Sequence, residues 1–120
     1  MIVKCAVYED GHRRPGDDLS LEEAGRVCHE QGAFVWLGVF EPDADEFEEV
    51  ATKFNLHELA VEDAIKAHQR PKIELFGDNL LVVVKTAQYV DSNEVIDVGE
   101  LLIFVNPDFI VTVRHGDGEL

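Results

Sequence analysis

The segment Ala33–Phe40 reads AFVWLGVF, with apolar residues at both odd and even positions. Successive side chains of a strand point to opposite faces. A strand solvated on one side would therefore alternate with polar residues, and this one does not. Such a segment belongs in the interior of a sheet, buried on both faces as in a sheet covered by helices. A chain of 120 residues with 46% hydrophobic residues has the core for that arrangement, fits one domain, and is too rich in Val, Ile, Leu and Phe to be disordered.

Around this segment the pattern divides at Pro71. Residues 2–8 favour an extended first strand, followed by a polar loop over 9–18 with Gly11, Pro15 and Gly16 as breakers. Ser20 and Glu23 have capping-box spacing and open a helix with Leu21, Ala24, Val27 and Cys28 on its apolar face, stopped by Gly32. After the strand at Ala33–Phe40, Asp43 caps a helix carrying Phe47, Val50, Ala51 and Phe54 at i, i+3, i+4 and i+7, and Asn55 breaks it. A shorter helix over 57–67 turns Leu56, Leu59, Ala60 and Ala64 inward, and Pro71 closes it by forcing extended backbone at Arg70.

Beyond Pro71 the spacing predicts strands joined by tight turns. They cover 72–76, 80–89, 95–105 with an interruption at Gly99 by a bulge, and 109–113, with turns at Gly77-Asp78-Asn79, Asp91-Ser92-Asn93 and Asn106-Pro107-Asp108. The fold class is α/β: one mixed sheet of about six strands, in the order β-α-β-α-α followed by a β-meander, with helices packed mainly on one face.

Charge narrows the partners. Twenty-five acids against 10 Lys and Arg give a formal net charge of −15, which repels phosphate backbones and anionic headgroups and attracts cations. Nucleic acid is therefore not expected as a partner. Solubility alone also accounts for such acidity. Cys5 and Cys28 form neither a CxxC pair nor a zinc pattern, and read as two buried thiols in a reducing compartment. No signal peptide stands at the start. The longest apolar runs, at 80–84 and 101–105, are far shorter than the ~20 residues of a spanning helix.

Enzyme signatures are missing: there is no GxSxG, no GxGxxG and no P-loop. The histidines have no partners at metal spacing. His57 and His68 lie three helical turns apart, and His57-Glu58 does not extend to HExxH, so surface or capping roles fit all five. Helix-dipole complementarity explains the acids between Asp43 and Glu49 first, with a diffuse cation-attracting surface as the other reading. Glu62 and Asp63 are the best candidates for a site. Adjacent carboxylates on a helix point about 100° apart, which suits a shared, hydrated site for a hard cation better than a tight cage. A pair of solvated helix acids, or Asp63 bonded to Arg70, is the competing reading.

The stretch Leu56-His57-Glu58-Leu59-Ala60-Val61-Glu62-Asp63-Ala64, leading into His68-Gln69-Arg70-Pro71-Lys72-Ile73-Glu74, resembles the cytosolic signature of CorA-type magnesium/cobalt transporters, roughly H-P-L-x-x-E-D and then Q-R-P-K-x-E. The residues from Phe76 to Asn79, the apolar strand from Leu80, the closing Phe109-Ile110-Val111-Thr112-Val113-Arg114, and Trp36 are also similar to that family. Glu58 stands where the family commonly has Pro, a tolerated swap in the first turn of a helix.

The resemblance implies that residues 1–120 are a single N-terminal cytosolic, regulatory domain, with the stalk and the two membrane helices elsewhere. The only methionine is Met1, so the family's Gly-Met-Asn pore motif is not in this chain. It further implies a non-enzymatic role in gating a divalent-cation channel at the cytoplasmic face of the cell membrane, with membrane contact only through the missing C-terminal helices. The full protein would be a homopentamer. The implied ion is Mg2+, weakly held between subunits, with Co2+ as a further cargo; Asp63 would be the main metal ligand and Glu62 the helper. His57, Gln69, Arg70, Pro71 and Lys72 would be structural. Arg70 is expected to cap the preceding helix or pair with Glu62 or Glu74, and Pro71 to set the entry of the next strand. A zinc-transporting relative and a stand-alone acidic α/β regulatory domain are the alternatives.

Overall fold

The structure, a computed structural model, describes residues 1–16, 18–66, 70–90 and 95–116. Within these, the side chains of residues 60, 63, 88–90 and 95–98 are outside the description. The elements run β1 (Ile2–Glu9), β2 (His12–Arg13), α1 (Leu21–Val27), β3 (Ala33–Phe40), α2 (Ala44–Phe54), α3 (Glu58–Ile65), β4 (Lys72–Phe76), β5 (Asn79–Val90), β6 (Val95–Val105) and β7 (Phe109–His115). All seven strands form one mixed sheet in the order β2-β1-β3-β7-β6-β5-β4. From β4 to β7 it is an antiparallel meander. The two halves of the chain join where β3 pairs in parallel with β7 at the centre of the sheet, Val35 opposite Phe109 through Phe40 opposite Arg114.

The three helices pack on one face. Val35, Leu37 and Val39 of β3, Leu81 and Val83 of β5, Leu102 and Phe104 of β6, and Phe109, Val111 and Val113 of β7 meet Ala24, Phe47, Val50, Phe54 and Ala64 in a single core. The Phe47 and Phe104 rings lie 5.8 Å apart, and Phe54 meets Phe109 edge-on at 5.0 Å. Local chemistry sets the helix ends. Ser20 Oγ accepts from the Glu23 amide at 3.2 Å and Asp43 Oδ1 from the Glu46 amide at 2.7 Å, while Asn55 ends α2 in the left-handed region at φ 54°. Gly25 lets α1 approach α2, since a Cβ there would stand 3.1 Å from Lys53 Cβ.

The mixed α/β architecture is as expected, and four details differ. There are seven strands because Asp10 and Gly11, both with positive φ, make a tight hairpin turn that pairs His12 and Arg13 back onto β1. The register of β5 with β6 runs through Thr86 opposite Gly99 without a shift, so Gly99 marks no bulge; the irregularity lies in β1, between Ile2 and Lys4. α1 ends at Val27, and a run of turn hydrogen bonds, His29 N–H to Arg26 O and Glu30 N–H to Val27 O, carries the chain to Gly32, whose φ of 85° serves the turn into β3. The fourth concerns the second face of the sheet. No helix among the described residues covers it. Phe34, Trp36, Val82, Ile103 and Ile110 are only half-buried, shielding one another laterally, while Ile73 and Leu75 on the β4 edge are 71% and 75% exposed. The turn expected at Asp91-Ser92-Asn93 lies outside the described residues.

Candidate functional site

The helix carrying the paired acids is short and held by few groups. Asn55 reverses the backbone, and Leu56 N–H bonds Ala51 O at 2.9 Å, which delivers His57 to the N-cap of α3. His57 Nδ1 accepts from the Leu59 amide at 3.1 Å, and its ring lies 4.8 Å from that of Phe76 on β4. Histidine is an uncommon cap; here the stacking on Phe76 sets the ring so that one nitrogen faces the orphan amides of the first turn. Leu56 and Val61 pack against the core, and Ala64 is fully buried in it. Glu58, Glu62 and Ile65 are exposed, and so is Leu59, which the pattern placed inward: it lies in the first turn, on the side away from the sheet.

Glu62 thus stands on the outer side of α3, and among the described residues its carboxylate has no hydrogen bond or ion pair. Asp63 follows it in the helix; its side chain is outside the described set, as are Gln69 and His68. Pro71 leads into β4 and is exposed. Arg70 is exposed and takes neither expected role among the described residues: the α3 end is met by other groups, and Glu74 pairs with Lys72 at 2.8 Å. Lys72, the first residue of β4, thereby ties its ammonium along its own strand.

Elsewhere, Asp45, Glu48 and Glu49 are exposed on α2, while Glu46 bonds the N-terminal ammonium of Met1. Among the described residues no three His, Cys, Asp or Glu side chains converge as a metal-holding group. A hard cation held at α3 would therefore take few carboxylates and fill its remaining positions with water, as Mg2+ accepts.

Two groups near the C-terminal end of α3 escaped sequence reasoning. His115, the last residue of β7, places Nε2 2.8 Å from Ala64 O. Opposite it on β6 stands Glu100, only 4% exposed, with Lys85 Nζ at 3.6 Å. Glu100 carried a signal: it shares its face with Leu102 and Phe104, and a carboxylate there must be buried and satisfied. His115 carried none, because its partner lies 51 residues away.

The cysteines are buried and free. Burial, reinforced by the Asp18 carboxylate, pushes the Cys5 thiol up to about 11, and burial likewise raises Cys28. Neither is an activated nucleophile. The open sheet face holds a shallow groove lined by Tyr8, Phe34, Trp36 and Ile110, apolar but for Asp10 at its rim. Among the described residues no helix is long and apolar enough to cross a membrane.

With this geometry in place, comparison with known proteins is informative. The family model of the CorA-like Mg2+ transporter protein matches residues 31–120. Among solved structures, the complete CorA magnesium transporter from Methanocaldococcus jannaschii is similar over 98% of this chain and 33% of its own, at TM-score 0.66 and 15% identity. The soluble domain of CorA from the same organism is similar over 94% and 40%, at 0.62 and 18%. The full-length CmaX protein is similar over 98% and 36%, at 0.68 and 16%. The chain thus spans between a third and two fifths of the length of these structures. No curated protein matches it by sequence. At these identities the structures speak to the fold, while the family match covers three quarters of the chain: this chain belongs to the family of CorA-like Mg2+ transporter proteins.

Proposed function

We propose that this domain is the cytosolic Mg2+-responsive part of a homo-oligomeric divalent-cation transporter, and that it acts in gating rather than in catalysis. The observation that carries the reading is the placement of Glu62 within a family of Mg2+ transporters: an exposed carboxylate without an intrachain partner among the described residues, followed directly by Asp63 on the same helix. A solvated helix acid needs no partner, so it is the family match that gives the exposure of Glu62 its weight. Carboxylates on this helix beside a neighbouring subunit's acids would repel them. Mg2+ between the two would remove that repulsion, so occupancy stabilises the closed assembly by mass action. When Mg2+ falls, the site empties and the repulsion reopens the assembly. The net charge of −15 raises the local cation concentration around the site. Co2+ would enter as a further cargo. The assembly would be a homopentamer at the cytoplasmic face of the cell membrane, with this chain as its N-terminal domain.

The test is Mg2+-dependent closure in the transporter that carries this domain. Asp63→Asn should raise the Mg2+ concentration that half-closes it several-fold, and Glu62→Gln should do so by less. Closure at the wild-type concentration in both variants would show that these acids do not sense Mg2+.

A further inference from the structure

α3 meets the rest of the domain through a small footing. Among the described side chains, Leu56, Val61 and Ala64 are its contacts with the core, while Leu59 and Ile65 are exposed. At its N-terminal end it is held by His57 through the cap and the Phe76 stack. Its C-terminal end is finished differently. Among the described residues, Lys66 at the stop is extended at φ −83° and ψ 123° rather than left-handed, and no basic residue lies in the last turn. Of the final carbonyls, Glu62 O receives the Lys66 amide at 3.3 Å. Ala64 O receives His115. A carbonyl can only accept, so Nε2 of His115 carries the proton and donates.

The other end of this bond sits in the sheet. β7 is paired on both sides, with β3 and with β6, and His115 closes it opposite Glu100. The bond therefore joins the turn bearing Glu62 and Asp63 to the place where the chain leaves the sheet. In a helix only eight residues long, holding one carbonyl in the last turn restrains the backbone of the turn that carries residues 62 and 63.

We propose that His115 is a positioning residue for the α3 carboxylates, coupling their setting to the end of β7. The inference rests on the gating role assigned above. His115 touches no metal in this scheme; it acts through Ala64.

The test uses two variants of similar size in the whole transporter, His115→Phe without a donor and His115→Gln with one. Loss of one hydrogen bond worth about 1 kcal/mol corresponds to about 5-fold. In His115→Phe, amide hydrogen exchange over residues 58–66 should quicken by that factor, and the half-closing Mg2+ concentration should rise by up to as much. His115→Gln should keep both within about two-fold of wild type, which a purely space-filling role for the imidazole would not produce. Unchanged exchange in His115→Phe overturns the tie. Faster exchange with unchanged closure, in a protein whose closure Asp63→Asn does shift, overturns the positioning role. If Asp63→Asn shifts nothing either, the gating reading fails and takes this role with it, while the exchange data still report the bond.

Discussion

His57 does two jobs on one ring, and they can be separated. Its Nδ1 caps α3 through the Leu59 amide at 3.1 Å, and its face packs 4.8 Å from Phe76. Loss of an N-cap costs about 0.5–2 kcal/mol, and an aromatic pair contributes about 0.5–1.5 kcal/mol, toward the low end here because His57 is exposed. His57→Ala should therefore lose about 1–2.5 kcal/mol. With an unfolding entropy of about 2.1 cal/mol/K per residue, a chain of this length shifts by about 4 °C per kcal/mol, so Tm should fall by about 4–10 °C. Two further variants partition the loss: His57→Asn retains a capping oxygen without the stack, and His57→Phe retains the stack without the cap. Thermal unfolding followed by circular dichroism reads all three. The reasoning requires both partial variants to lie between wild type and His57→Ala. A His57→Ala protein melting within about 1 °C of wild type would refute it, as would a His57→Asn protein melting as low as His57→Ala together with an unchanged His57→Phe, which would remove the cap from the account.

Two other outcomes follow from the packing and from the thiols. Gly25→Leu should destabilise by about 1–3 kcal/mol in urea titrations, because a side chain at the α1–α2 contact meets Lys53 Cβ at 3.1 Å and Lys53 O at 3.3 Å; an unchanged midpoint would mean that the helices part freely. The Cys5 thiol, held at about 11 against an ordinary 9.0, favours the folded state below pH 9. The unfolded chain ionises first as pH rises, so this contribution should be lost between about pH 9 and 11, and Cys5→Ala should flatten that decline; equal slopes in the two proteins would contradict it.

Sequence pattern carried far for elements whose determinants are local. The Phe47, Val50, Ala51, Phe54 face and the Asn55 stop define α2 as found, and the Gly77-Asp78 turn defines the β4–β5 hairpin. The same local logic was available at Asp10-Gly11, a hairpin dipeptide hidden inside a polar loop, and it accounts for the extra strand. The length of α1 was harder to read, because Gly32 is a turn signal that also serves the loop after the helix. Nothing local announces that β3 pairs with β7, or that His115 reaches Ala64; these depend on how the sheet closes. At the candidate site, the residue types and spacing of Glu62 and Asp63 were legible, and the structure adds the exposure of Glu62 and the group that ends their helix.

The parallel seam between β3 and β7 also orders the events of folding. Every other pairing in the sheet joins strands that follow one another closely, apart from β1 with β3, which brackets a single helix. The β4–β7 meander and the β1–α1–β3 unit can each begin to form from short loops, whereas bringing Val35 to Phe109 closes a loop of more than half the chain. Such closure raises the contact order and slows the final step. The seam should therefore form late, and substitutions along it should speed unfolding more than they slow folding.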